Sequence, residues 1–350
     1  MRTMVTGGAG FIGSTLVDRL LAEGHEVDAV DDLSSGSLAN LAEARAAAGG
    51  ALTIHQLDIR LPDAQELIAR RRPEVIFHLA AQIDVRVSVA EPVLDADVNL
   101  LGTLRVLEGA RLAGTDRVVF AASGGTLYGD VDPAKLPVRE SEPHHPLSPY
   151  GVSKKAAIDY LVAYREMHAL EYCALALANV YGPRQDPHGE AGVVAIFATA
   201  LVEGRPVTIY GDGEQTRDYV YVDDVVDAFA RAATRGGGLV CNVGTGQETS
   251  VNELYRTMAA AVGVDAGPER APARQGELRR NALDAGRAAI QLGWRPWTSL
   301  ADGTAAVIDK TRQRPAGRPQ AGAGAAGRQQ GRRRGAGAGP ADGGGLRGDG

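Results

Sequence analysis

The chain has 350 residues, 44% of them hydrophobic, 5% aromatic and 23% charged, the make-up of a globular protein with an ample core and the length of one large α/β domain or two joined ones. Its formal net charge of −6 is uneven: six arginines and two aspartates give residues 315–350 a net +4, so residues 1–314 carry −10, an acidic body that argues against nucleic acid as the main partner. The longest uncharged run, residues 3–17, covers 15 residues with four glycines, short of the roughly 18 apolar residues of a membrane-spanning helix.

Short β-branched or apolar runs at 3–6, 26–30, 52–57, 75–78 and 117–122 predict strands, and the stretches 11–22, 64–71 and 93–112 between them predict helices. A long helix begins near Tyr150 and leads into a further strand at 172–177. Strands separated by helices imply right-handed crossovers and a parallel sheet covered on both faces, a Rossmann-like doubly wound α/β fold. Beyond about residue 180 Gly and Pro punctuation loosens the alternation. The expected organisation is therefore a nucleotide-binding domain over 1–178 with later returning segments, a smaller and mainly substrate-binding lobe over 179–314, and a tail over 315–350. That tail has 13 glycines and one large apolar side chain, Leu346, too little to offset the entropy of ordering, so it is expected to be disordered. The N-terminus reads as a strand and not as a signal peptide, and Cys173 and Cys241 are isolated, without disulfide or zinc spacing; a reduced, cytoplasmic protein is expected. His144-His145 and the pair Trp294 and Trp297 read as loop and late surface-turn residues, and no metal site is expected.

Gly7-Gly8-Ala9-Gly10-Phe11-Ile12-Gly13 lies between the first predicted strand and helix. Gly7 suits a tight turn, Gly10 a close approach of backbone to a pyrophosphate, and Gly13 close packing of the helix, whose N-terminus favours negative charge. Asp31 ends the second strand 18 residues after Gly13, where a carboxylate can accept from both adenosine ribose hydroxyls and repels a 2′-phosphate; NAD is favoured over NADP. Asp58-Ile59, after the third strand, suits an adenine edge. Tyr150 and Lys154 are four apart at a helix start and share a face. An ammonium beside a phenol, with a positive nicotinamide ring, favours the phenolate. Ser123, at the carboxyl end of the fifth strand, completes a proton-transfer site where ligands of parallel sheets gather.

These residues occur among many more in the same order: His78-Leu79-Ala80-Ala81, Asn99, Gly102-Thr103, Tyr128-Gly129, Pro149 through Lys154, Asn179 through Arg184, Gly211-Asp212-Gly213, Arg217-Asp218-Tyr219 and Arg274-Gln275-Gly276-Glu277. Together they make the chain, from about residue 2 to 312, resemble the extended short-chain dehydrogenase/reductase family, most closely its UDP-glucose 4-epimerase branch. The resemblance implies that Gly7, Gly10, Phe11, Ile12, Gly13, Asp31, Asp58, Ile59, Leu79, Ala80, Ala81 and Asn99 hold NAD. It implies that Tyr150 is the base at the sugar 4-hydroxyl, that Lys154 bonds the nicotinamide ribose and lowers the Tyr150 pKa, and that Ser123 bridges hydroxyl and phenol. Asn179, Arg217 and Arg274 would contact the diphosphate of a UDP-sugar and Glu277 the uridine ribose. Homodimers, usual in the family, are expected through the faces of 93–112 and 150–170.

Two departures bear on this. Some epimerases carry Ser or Thr four residues before the tyrosine that here is Tyr128, where this chain has Gly124; assigning the hydroxyl to Ser123 depends on a bulge at Gly124-Gly125, and Thr126 is the reserve candidate. Some members carry lysine where Gln82 stands, so a cofactor contact is missing or replaced. The dehydratase branch places an Asp-Glu pair where this chain has Gly124-Gly125, leaving elimination without a proton donor. Interconversion of UDP-glucose and UDP-galactose is the leading reading, with the N-acetylated pair a possible extension because Asn281 stands where some epimerases have a bulky tyrosine. A uronic-acid epimerase, reductase or dehydratase acting on a nucleotide sugar, and a non-catalytic NAD-binding sensor, stay open.

Overall fold

The computed structural model describes residues 1–187, 192–274 and 278–313. Glu277 and the tail 315–350 lie outside the described residues. Seven strands, β1 (Arg2–Thr6), β2 (Glu26–Asp31), β3 (Leu52–Gln56), β4 (Val75–His78), β5 (Arg117–Ser123), β6 (Glu171–Leu177) and the late strand Leu239–Val243, form one sheet. Its order is β3-β2-β1-β4-β5-β6 followed by Leu239–Val243, and every pairing is parallel. Both faces are covered, which is why β1, β4 and β6 are buried almost end to end instead of alternating. The strand order reverses between β1 and β4, the point at whose carboxyl ends sheets of this kind bind ligands in a crevice.

Two helices start at that edge and carry candidate site residues. Helix Phe11–Ala22 starts straight from the glycine loop, and its N-cap, Gly10, offers no capping side chain. Helix Pro149–His168 starts sharply: Ser148 caps it by accepting from the Gly151 N–H at 3.2 Å, and Pro149 supplies a preset first-turn φ. The stretch 93–112, expected as one regular helix, departs from that reading. Helix Pro92–Ala96 passes into a π-helical turn, Asp97–Leu101, and only then into helix Gly102–Ala113. Wider turns of this kind change which side chains face a neighbour, and this one carries Asn99.

Two cores hold the described chain together. The larger lies about the sheet; the smaller gathers Tyr181, Phe197, Tyr255, Met258 and Val307 around helices Val193–Val202, Val251–Val262 and Leu300–Arg312. Two sequence readings are corrected here. Cys173 and Cys241 are not isolated: adjacent parallel strands bring them together as buried, free, hydrogen-bonded thiols. Trp294 is no surface residue, since it is fully buried and donates from Nε1 to the Asp224 carbonyl at 2.7 Å; Trp297 does remain exposed. Among the described residues no helix is long and apolar enough to cross a membrane.

Candidate active site at the carboxyl edge of the sheet

The glycine loop is a cradle that side chains would fill. Gly7 has φ +71°, and a Cβ there would lie 2.8 Å from the Ala80 nitrogen, so the loops after β1 and β4 meet backbone to backbone. A Cβ at Gly13 would lie 2.0 Å from the Gly7 carbonyl oxygen, so Gly13 serves the loop itself and not the sheet beneath. Gly8 provides the sheet contact, with Ala29 at 2.9 Å from its notional Cβ. Phe11 and Ile12 are partly exposed at the start of the helix, and the Phe11 ring edge approaches Gly182.

Asp31 is tied to the same loop. Its Oδ2 accepts from the Ala9 N–H and its Oδ1 from the Leu33 N–H, each at 2.9 Å, and burial raises its pKa despite these bonds. Asp58 is clasped by Arg60, which the sequence did not flag; that hydrogen bond holds the Asp58 pKa down. Ile59 is buried against Gly102. Leu79, Ala80 and Ala81 line the rim, half-buried. Asn99 is almost wholly buried, and its amide is spent on protein: Nδ2 donates to the Gln82 carbonyl (2.9 Å) and to Asp95 (2.8 Å), while Oδ1 accepts from the Gln82 N–H (2.9 Å). It therefore fixes the loop after β4, where it was expected to face a cofactor directly.

Beneath these lies a run of directed hydrogen bonds. The Thr103 hydroxyl donates to the Asn99 carbonyl (2.7 Å), so it accepts from His78 Nε2 (2.9 Å). His78 Nδ1 then accepts from the Thr6 hydroxyl (2.7 Å), which in turn accepts from the Ala80 N–H (3.3 Å). Burial, with the Lys154 charge nearby, drops the His78 pKa to about 3; it is a neutral brace.

Ser123 is the last residue of β5, and its hydroxyl is the protein group that favours the Tyr150 phenolate. No bulge is needed. The strand passes directly into a short helix, Gly124–Leu127, and a Cβ at Gly124 would lie 2.3 Å from Leu283 Cδ1. That contact explains why glycine stands where other members place a hydroxyl. Thr126, the reserve candidate, turns its hydroxyl back toward the Ser123 carbonyl at 3.5 Å. Tyr150 and Lys154 are both buried on one helix face. Lys154 donates to the Ala121 carbonyl at 3.0 Å, and its ammonium stands 4.7 Å from the Phe120 ring centre and 5.8 Å from that of Tyr150. Burial lowers its pKa to about 8, opposed by the charge of Asp95. The Tyr150 pKa is raised, first by burial and then by Asp95, with only the Ser123 hydrogen bond pulling it down. The expectation joined Lys154 with the positive nicotinamide ring; among the protein groups alone, burial outweighs what favours the phenolate.

The later segment frames the other side. Parallel pairing of Asn179–Tyr181 with Tyr219–Tyr221 sets the exposed Asn179 beside the segment carrying Arg217. Arg217 donates from Nη1 to the carbonyls of Thr216 and Leu278, each at 2.8 Å. Arg274 is exposed and lies 4.1 Å from the Tyr210 ring centre. Asn281 is 4% exposed, and its Oδ1 has no hydrogen-bond partner among the described residues. Asp218, given no role from sequence, joins the parts: fully buried, it accepts from the Thr245 hydroxyl (2.6 Å) and from the N–H groups of Thr245, Gly246 and Leu283. Its signal was adjacency to Arg217; its partners could not be read.

A doubly wound sheet, an uncapped glycine-lined helix start at its switch point and a Ser-Tyr-Lys cluster beside it define a nucleotide-cofactor enzyme of the short-chain type. The profile of the NAD dependent epimerase/dehydratase family matches residues 3–244, and the chain belongs to that family. It is 54% identical over 310 residues to the UDP-glucose 4-epimerase of Mycolicibacterium smegmatis, covering 88% of this chain and 98% of that one. Among solved structures it is similar to the UDP-glucose 4-epimerase of Thermotoga maritima with UDP-glucose (42% identity, TM-score 0.85, 89% of this chain and 99% of that one). It is also similar to that of Thermus thermophilus in complex with NAD (42%, TM-score 0.82, with the same coverage).

Proposed function

We propose that the protein interconverts UDP-glucose and UDP-galactose at C4 with resident NAD. The observation that carries this is the buried Tyr150 and Lys154 on one helix face, with Ser123 at the end of β5, beside a glycine cradle shaped for a diphosphate. The cradle fits NAD on its own geometry: the first-turn N–H groups of helix Phe11–Ala22 lack a side-chain cap, and Asp31 sits at its edge. Residues 1–178 with returning segments hold the cofactor through Gly7, Gly10, Phe11, Ile12, Gly13, Asp31, Asp58, Ile59, Leu79, Ala80 and Ala81, with Asn99 behind them. Residues 179–314 supply the substrate lobe. When bound, NAD supplies reversible hydride acceptance at C4 and the positive charge that favours the Tyr150 phenolate.

Tyr150 takes the proton of the sugar 4-hydroxyl and returns it. Ser123 bonds both that hydroxyl and the phenol, holding the proton path in line. Lys154 orients the nicotinamide ribose. Asn179, Arg217 and Arg274 grip the diphosphate, where the planar guanidinium fork suits phosphate oxygens, and Glu277 takes the uridine ribose. With Gly124 packed under Leu283 and Gly125 beside it, no carboxylic acid stands at the dehydratase positions, which favours epimerisation over elimination. Incubation with UDP-galactose and chromatography of the products tests this; absence of UDP-glucose refutes it.

The unpaired, buried Asn281 oxygen suits a donor such as the N–H of a 2-acetamido group, so the N-acetylated pair is a second substrate class. Asn281→Tyr is expected to abolish turnover of UDP-N-acetylglucosamine and spare UDP-glucose. A cytoplasmic homodimer completes the reading. Val93, Leu112, Val152 and Met167 are exposed apolar residues on the two helical faces expected to pair with a second copy, and the mass in solution by light scattering checks it.

A further inference from the structure

Directly behind the Tyr150–Lys154 face lies a carboxylate that the mechanism above does not use. Asp95 is completely buried. Its Oδ2 accepts from the Ser153 hydroxyl at 2.6 Å, and Ser153 is the neighbour of Lys154 on the catalytic helix. Its Oδ1 accepts from Asn99 Nδ2 at 2.8 Å and from Gln82 Nε2 at 3.2 Å. The orientation of both amides is fixed by backbone, since Asn99 Oδ1 accepts from the Gln82 N–H and Gln82 Oε1 from the Asp84 N–H. Donors thus point at both oxygens of Asp95, the pattern of an ionised carboxylate.

A buried carboxylate is costly unless a positive charge offsets it. The charged groups around it are committed elsewhere: Asp84 pairs with Arg86 at 3.5 Å and Asp97 with Arg60 at 3.4 Å. His78, on β4, is neutral, and Tyr150 is a phenol. Lys154 remains, equally buried, its ammonium on the Ala121 carbonyl.

Resting on the epimerase reading, we propose that Asp95 is a positioning residue whose charge keeps Lys154 protonated and whose bond to Ser153 fixes the catalytic helix against the loop after β4. Both charges are buried, and Asp95 is bonded to the residue next to Lys154. The arrangement serves the reaction because Lys154 keeps its hydrogen-bonding ammonium free for the ribose while a counter-charge lies behind it. Gln82 is the second anchor, which gives a purpose to the residue found where other members carry lysine.

The test is Asp95→Asn, nearly isosteric and able to keep all three hydrogen bonds once Ser153 accepts from the new amide. Without the negative charge both Lys154 and Tyr150 give up their protons more readily, so both limbs of the pH profile of kcat/KM should move to lower pH by about one unit. A purely structural role would lower activity and leave the limbs in place. Independently of turnover, the chain has four lysines, and the 13C resonance of the Lys154 ε-carbon should titrate about one unit lower in Asp95→Asn. Ser153→Ala removes the bond but keeps the charge, and should leave the limbs where they are while reducing kcat. If Asp95→Asn does not fold, Asp95→Ser carries the same expectation. Unmoved limbs together with an unmoved Lys154 resonance overturn the proposal. A wild-type protein without epimerase activity but with the lysine shift would refute the assigned reaction and leave the role of Asp95 standing.

Discussion

The floor of the crevice and its far wall are built on different terms. On the floor Tyr150 is 9% exposed and Lys154 2%, and each polar group is held by a neighbour at a fixed angle. On the wall Asn179 and Arg274 are exposed, and Arg274 rests on an aromatic face instead of a carboxylate. Proton transfer needs sub-ångström order before the substrate arrives; a diphosphate can be gripped by long side chains that settle around it. The difference suggests that changes in the floor act on the chemical step and changes in the wall act on binding.

The sharpest way to break that division is Tyr150→Phe, which should cut kcat by about 1,000-fold or more with KM for the UDP-sugar little changed, read from initial rates. A rise in KM alone would move Tyr150 to the wall. Next, Gly13→Ala forces a Cβ into the Gly7 carbonyl at 2.0 Å, and overpacking of this kind should weaken NAD binding about tenfold to a hundredfold by calorimetric titration.

The neutral brace gives a pH test. The His78 pKa is about 3 in the folded protein against an ordinary 6.5, so below pH 6.5 the unfolded chain binds a proton that the folded one refuses. Stability attributable to this group is therefore full above pH 6.5 and falls as the pH drops toward 3. Urea unfolding at pH 7 and pH 5 should show a loss about 2 kcal/mol smaller in His78→Gln than in the wild type. Smallest is the wall: Arg274→Ala should raise KM about fivefold to tenfold and leave kcat within about twofold. An equal fall in kcat would place Arg274 in the chemistry.

The pieces that sequence made legible are those whose geometry is local. The glycine loop, Asp31 at a strand end, and Tyr150 with Lys154 four residues on depend on a turn, a strand and one helical repeat. The strands β1, β4 and β6 were likewise visible as apolar runs, because strands buried on both faces announce themselves by composition. The Asp97–Leu101 turn was not legible, since a π-helical turn leaves no period in a single sequence. Neither was the constraint on Gly124, which comes from Leu283, nor the thiol pair, which comes from two strands meeting at the sheet edge.

What the sequence determined by itself, then, was the parallel alternation, the cradle and which side chains to look for at the sheet's carboxyl edge. What only the tertiary structure decided was the charge state and support of those side chains. Asp95 reaches Ser153 across 58 residues and Asp218 reaches Leu283 across 65, and a pKa depends on burial and on charges brought close by folding, neither of which any local pattern encodes.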